Sequence, residues 1–133
     1  MAKKSAITRQ YEYNMIDLDR LIDGDTLWVV LDLGFNLQYK AELRLDGIDT
    51  PEKNTHEGMI VKQKVLNWLK DKRLKVVSKE LDKYGRSLSE VIDIDKNQSL
   101  NSYLLENGFA RKYAGEKKVS WTSTQIKNIL DKE

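Results

Sequence analysis

Between Tyr11 and Ile94 the sequence spells out five short β-type segments, with one helical stripe set between the third and the fourth. That order is the strongest constraint on what the chain can become. Tyr11 to Ile22 reads as a first strand. It runs into Asp23-Gly24, a dipeptide suited to a tight hairpin turn because glycine accepts the backbone angles such turns demand. Leu27-Trp28-Val29-Val30-Leu31 is a continuous apolar strand, closed by a turn near Gly34. Residues 39–46 then alternate. Tyr39, Ala41, Leu43 and Leu45 share one face, and Lys40, Glu42, Arg44 and Asp46 share the other. Arg44 is therefore expected to project away from the core on a rigid strand. Pro51 ends that pairing, since it lacks the N–H a ladder needs.

Val61, Val65, Trp68 and Leu69 recur at helical spacing and predict an amphipathic helix from Glu57 to Asp71, opened by a capping pair of Asn54 and Glu57. Leu74–Lys79 and Leu88–Ile94 read as the last two strands, joined by a polar turn centred on Gly85. Ser99 caps a short helix through Leu104 and Leu105, stopped by Asn107-Gly108, and a final helix is expected from Ser123 to Asp131. A three-stranded meander, a crossing helix and two further strands can bury their apolar faces by closing on themselves. The predicted class is α+β, mainly β barrel: an OB-fold five-stranded barrel with three packed helices. Residues 1–10 are expected to form a flexible polar lead and 11–133 a single domain. A length of 133 residues with 40% hydrophobic side chains suits one core.

Composition removes whole classes of chemistry. There is no cysteine, so disulfides, thiolate zinc sites, iron–sulfur clusters and cysteine nucleophiles are excluded. The single histidine, His56, rules out a multi-histidine metal site and reads as a solvated side chain in a polar loop. Lysine and arginine nearly balance aspartate and glutamate, with a net charge of +2, so the chain does not grip polyanions by bulk charge. No apolar run approaches the ~20 residues that span a bilayer. The basic start of the chain has no apolar stretch behind it and is not a signal peptide. The expected location is cytoplasmic as written, or secreted if a signal was removed, and the expected state is a monomer with no membrane partner.

Three polar clusters remain: Asp23-Gly24-Asp25-Thr26; Arg44 followed by Asp49-Thr50-Pro51-Glu52; and Asp82-Lys83-Tyr84-Gly85-Arg86. Each alone reads equally as a turn, a strand exit or a solvated loop. Brought together by a barrel they describe something else. Carboxylates with a backbone carbonyl suit a hard cation such as calcium. Two arginines can fork onto phosphate oxygens and offset the charge of a five-coordinate phosphorus. A further glutamate can take a proton from water. The sum is a parts list for metal-assisted phosphodiester hydrolysis.

In their order and spacing these motifs, quoted as they stand, resemble the staphylococcal nuclease (thermonuclease) family over residues 11–115. The resemblance implies an OB-type barrel and a calcium-dependent nuclease that cuts DNA and RNA, single-stranded or denatured, leaving 3′-phosphate ends. It implies Asp25, Asp49 and the Thr50 carbonyl as calcium ligands, with Asp23 supporting them. It implies Glu52 as general base, Arg44 and Arg86 on the scissile phosphate, and Lys83 and Tyr84 on a terminal phosphate. Gly108-Phe109-Ala110-Arg111-Lys112-Tyr113 resembles the family's stretch leading to a base-stacking aromatic, which assigns that role to Tyr113. The sequence departs from the pattern at Thr55-His56-Glu57-Gly58-Met59, where family members often carry Tyr-Gly-Pro-Glu-Ala, and at Gly115, near which the family's type member has a second tyrosine.

Asp93 to Asn97 matches the start of an EF-hand loop. Gln98 and Leu104 stand where that loop needs glycine and glutamate, so a strand end and turn is the better reading. Trp28 and Trp68 are read as core, Trp121 as packing against the last helix, and Lys117-Lys118 as a charged loop. The rival function is a non-catalytic OB-fold nucleic-acid-binding module. A pure binder, however, has no reason to keep three carboxylates beside a polyanion.

Overall fold

One strand belongs to both halves of the barrel. β1 (Tyr11–Asp23) pairs antiparallel with β2 (Thr26–Gly34) through Asn14 to Asp23, and with β5 (Leu74–Leu81) through Tyr11 to Met15. Three register shifts along the first pairing bend it, which is how a strand turns a corner between two neighbours. The computed structural model describes residues 10–133, so the lead expected over 1–10 lies outside the described residues apart from Gln10.

β2 continues antiparallel into β3 (Leu37–Leu45), and β5 into β6 (Ser87–Asp93). β3 and β6 then pair in parallel through Leu43–Ser87, Arg44–Leu88 and Leu45–Ser89, which closes the ring in the order β1-β2-β3-β6-β5. Asn101 staples the end of this seam: its amide nitrogen donates to the carbonyls of Asp46 at 2.9 Å and Ser89 at 3.2 Å. The short strand β4 (Ile48–Asp49) leaves the barrel, and the chain crosses through α1 (His56–Leu69) to reach β5. β7 (Gln98–Ser99) adds a short rung to β6. α2 (Leu100–Glu106) leans on β6, and β8 (Arg111–Lys112) returns to pair antiparallel with β4. α3 (Ser123–Leu130) packs on α1. This is the expected five-stranded barrel with three helices. None of those helices is long and apolar enough to cross a membrane.

The alternation read from the sequence defines the core. Leu27, Val29 and Leu31 of β2, Ala41, Leu43 and Leu45 of β3, Val76 of β5 and Val91 of β6 all point inward and are buried. Val61, Val65, Trp68 and Leu69 of α1 cover them as the helical stripe required. Each such side chain contributes roughly 1.5–3 kcal/mol by leaving water. Two residues depart from expectation. Tyr39 lies on the β2–β3 hairpin and is 58% exposed. Trp28 is half-buried outside the core, whereas Trp68 is within it.

The start of α1 also differs. Thr55, not Asn54, is its N-cap: the Thr55 hydroxyl accepts from Gly58 N at 3.0 Å and donates to the Glu52 carbonyl at 2.7 Å. The Ser99 cap on α2 is as expected, and α3 carries a full capping box between Thr122 and Gln125. Asp93 to Asn97 forms the expected strand end and turn, with Asp93 Oδ1 accepting from the backbone of Asp95 and Lys96.

Candidate active site

The hairpin turn between β1 and β2 consists of Gly24 and Asp25. A Cβ on Gly24 would come within 2.8 Å of Val61 Cγ1 and 3.0 Å of Thr50 Oγ1, so only glycine lets the turn lie this close to α1 and to the exit of β4. Asp25 is 5% exposed. Its Oδ2 accepts from the Thr50 backbone N–H at 3.0 Å, its Oδ1 accepts from the Thr26 hydroxyl at 3.1 Å, and its carbonyl accepts from Leu45 N at 2.8 Å. A segment 25 residues downstream is thereby locked to the turn.

Arg44 sits on β3 opposite Thr26 on one side and Leu88 on the other. It lies off the core face, as the alternation required, but it does not project into solvent. The turn and the β4 exit roof it, leaving it 7% exposed. Its Nη1 lies 3.2 Å from Asp25 Oδ2 and its Nη2 lies 3.8 Å from Asp49 Oδ1. One guanidinium thus spans two buried carboxylates.

Asp49 is 3% exposed and carries two further cations. Arg111 Nε and Nη2 reach its Oδ2 at 3.1 and 3.0 Å, and Lys118 Nζ reaches its Oδ1 at 3.0 Å. Arg111 is itself anchored, donating to the Val119 carbonyl at 2.6 Å and lying 4.5 Å from the centroid of the Trp121 ring. Trp121 therefore packs through Arg111 as well as against the core. Neither Arg111 nor Lys118 was picked out as a site residue by sequence. Arg111 lies 62 residues from Asp49, and only the β4–β8 ladder makes them neighbours.

Asp23 stands at the end of β1, half-buried. Burial, and then the negative charges of Asp25 and Glu52, push its carboxyl above the usual 3.8; the charge and backbone N–H of Lys53 oppose them. Its Oδ1 and the Thr50 Oγ1 are buried without a hydrogen-bond partner. Glu52 is exposed, and its carbonyl is fixed by the Thr55 cap.

Beside Arg44 opens a cleft of about 610 Å³, which Lys83, Tyr84, Arg86, Tyr113 and Lys118 also line. Arg86 is oriented by its own loop. Its Nε and Nη2 both lie 2.8 Å from Asp82 Oδ2, while Asp82 Oδ1 accepts from the backbone of Tyr84 and Arg86 at 2.9 Å. Lys83 and Arg86 flank the exposed Tyr84 ring at 5.3 and 5.2 Å from its centroid. The structure thus brings Asp25, Arg44, Asp49 and Thr50 into direct contact. It gathers Arg44, Lys83, Tyr84, Arg86 and Tyr113 around one cleft, and it sets Asp25 and Glu52 close enough to Asp23 for their charges to act on its carboxyl.

The donors around Arg44 are all oxygen. Two carboxylates lie on either side of one guanidinium, and two buried oxygens nearby lack donors, the usual sign of a partner still to be supplied. That set fits a hard cation. Among the described residues no three acidic or histidine side chains form a ready-made ion cradle, and Asp25 and Asp49 face the chain's own cations.

Comparison with known proteins decides the family. The profile of the staphylococcal nuclease homologue family matches residues 42–132. The chain belongs to that family. The stretch of this staphylococcal nuclease homologue that matches holds Arg44, Asp49, Thr50, Glu52 and Arg86, together with Arg111 and Lys118; the turn with Asp23 and Asp25 precedes it. The chain is also similar to Protein ParB of Escherichia coli, 35% identical over 72 residues, which are 54% of this chain and 38% of that protein. The match thus spans well under half the length of that relative.

Proposed function

We propose that this staphylococcal nuclease homologue is a calcium-dependent phosphodiesterase that hydrolyses single-stranded or denatured DNA and RNA and leaves 3′-phosphate ends. The observation that carries the reading is Arg44. One guanidinium touches the buried pair Asp25 and Asp49 and lines the same cleft as Arg86.

Asp25, Asp49 and the Thr50 carbonyl would hold the calcium ion, with Asp23 behind Asp25. When bound, the ion supplies positive charge beside the scissile phosphate. Glu52 takes a proton from the attacking water. A P–O bond to that water forms and the bond to the 5′ oxygen breaks; the leaving oxygen takes a proton from solvent to become a hydroxyl, and Glu52 gives its own back to solvent. Arg44 and Arg86 fork onto the non-bridging oxygens and stabilise the charge that builds on phosphorus. Lys83 and Tyr84 hold a neighbouring terminal phosphate, and Tyr113 stacks on a base.

A second reading, a nucleic-acid-binding OB module without catalysis, is favoured by one observation: both oxygens of Asp49 already have cationic partners. Incubating denatured DNA, and separately RNA, with calcium or with a chelator distinguishes the two. The nuclease cuts with calcium alone and its products carry 3′ phosphates. Retention of the strands without cleavage in both conditions supports the binding module, and equal cutting under chelation overturns the metal role.

A further inference from the structure

The two oxygens of Asp49 are held in different ways. Oδ2 is gripped by Arg111, whose side chain is 18% exposed and is anchored again by the Val119 carbonyl and the Trp121 ring. Oδ1 is held by Lys118, whose side chain is 48% exposed and lies in the irregular segment between β8 and α3. A guanidinium fixed at several points stays in place. A half-exposed lysine is a point charge on a flexible stem, with solvent ready to take up its ammonium.

We infer that Lys118 is an exchangeable counter-ion of the site: its ammonium occupies Asp49 while no divalent cation is bound, and is released into the cleft when one arrives. The inference rests on the reading that Asp25 and Asp49 take a divalent cation. Asp49 Oδ1 already faces Arg44 Nη2 at 3.8 Å and Lys118 Nζ at 3.0 Å; a divalent ion arriving there is repelled by both, and of the two the half-exposed lysine is the one free to move. Lys118 also has somewhere to go. It lines the cleft with Arg44, Arg86 and Tyr113, and its Nζ is 5.3 Å from the Tyr113 ring centroid. An ammonium freed there meets the phosphates of a strand. Cation and strand therefore bind with positive coupling, and the coupling is reciprocal because it is a difference in free energy. With the cleft empty, Lys118 competes with the cation. With a strand in place, the strand draws Lys118 away and the competition ends.

The test is calorimetric titration of calcium into the full chain, with and without a saturating phosphorothioate oligodeoxynucleotide that resists cleavage. The proteins are wild type, Lys118→Met, Lys118→Gln and Lys117→Met, each checked for its fold by circular dichroism. Without oligonucleotide, both Lys118 variants are expected to bind calcium about tenfold more tightly than wild type at low salt. The gain in calcium affinity that the oligonucleotide brings to wild type shrinks in both variants, and Lys117→Met behaves as wild type. Calcium bound with equal or lower affinity by both Lys118 variants overturns the exchange and leaves the cation site standing. No calcium binding by any of the folded proteins overturns both.

Discussion

Replacing Arg44 by alanine takes from Asp25, which is 5% exposed, its cationic partner, while Asp49 keeps Arg111 and Lys118. Removing one partner of a buried charge cluster typically costs about 3–5 kcal/mol, so Arg44→Ala is expected to lower stability as well as rate. The strand alternation that predicts Arg44 to project away from the core does not reveal that the turn and the β4 exit bury it among carboxylates. Arg86→Ala separates the two effects, because Arg86 is held by a loop aspartate outside the barrel core. It is expected to reduce cleavage by about 10²–10³-fold with a denaturation midpoint close to wild type. Comparing initial rates with urea melts of both variants checks this. Gly58 is a second sensitive position. A Cβ there would sit 1.7 Å from the Glu52 carbonyl oxygen, so Gly58→Ala must push Glu52 and the Thr55 cap aside. A loss of about 1–3 kcal/mol in urea unfolding is expected. The residues legible in the sequence were those whose motif is local, such as Gly24-Asp25 and the run after Arg44. Arg111 and Lys118 were not, because their common partner Asp49 becomes a neighbour only through long-range folding.

The loop between β5 and β6 shows how an element aims a side chain. Burial pushes the Asp82 carboxyl upward, but the backbone N–H groups of Arg86 and Tyr84 and the Arg86 guanidinium outweigh it and hold it below the usual 3.8. The folded loop therefore binds this proton less readily than the unfolded chain. Its stabilisation is complete above 3.8 and is lost as pH falls through the lower folded value. Asp82→Asn is expected to cost about 1 kcal/mol at neutral pH, with the difference from wild type vanishing in acid below the native value. Denaturant melts of both proteins across that range check it. Element types and order were readable from period and turn chemistry, since each strand carries its own alternation. Element ends were less so. α1 begins at His56 because Thr55 can satisfy both Gly58 N and the Glu52 carbonyl, a choice between neighbouring cap residues that tertiary contacts make.

At the scale of the whole molecule, the barrel is closed by three parallel pairs between β3 and β6 and by the Asn101 staple at their end. No local signal could announce that pairing; it follows only from the need to eliminate two open edges. Asn101→Ala takes a donor from the Asp46 carbonyl, while the Ser89 carbonyl keeps the Asp46 N–H, and is expected to cost about 1–3 kcal/mol in urea unfolding. The seam also forms a wall of the cleft, since Arg44 and Leu88 face each other across it and both line that space. Parallel ladders are slightly less stable per residue than antiparallel ones. Opening of the barrel is expected to start at this seam, and deuterium uptake by the Asp46 amide, which donates across it to the Ser89 carbonyl at 2.9 Å, becomes a gauge of cleft occupancy. A seated oligonucleotide slows that uptake whether or not it is ever cut, so a footprint of this kind detects the ligand independently of turnover.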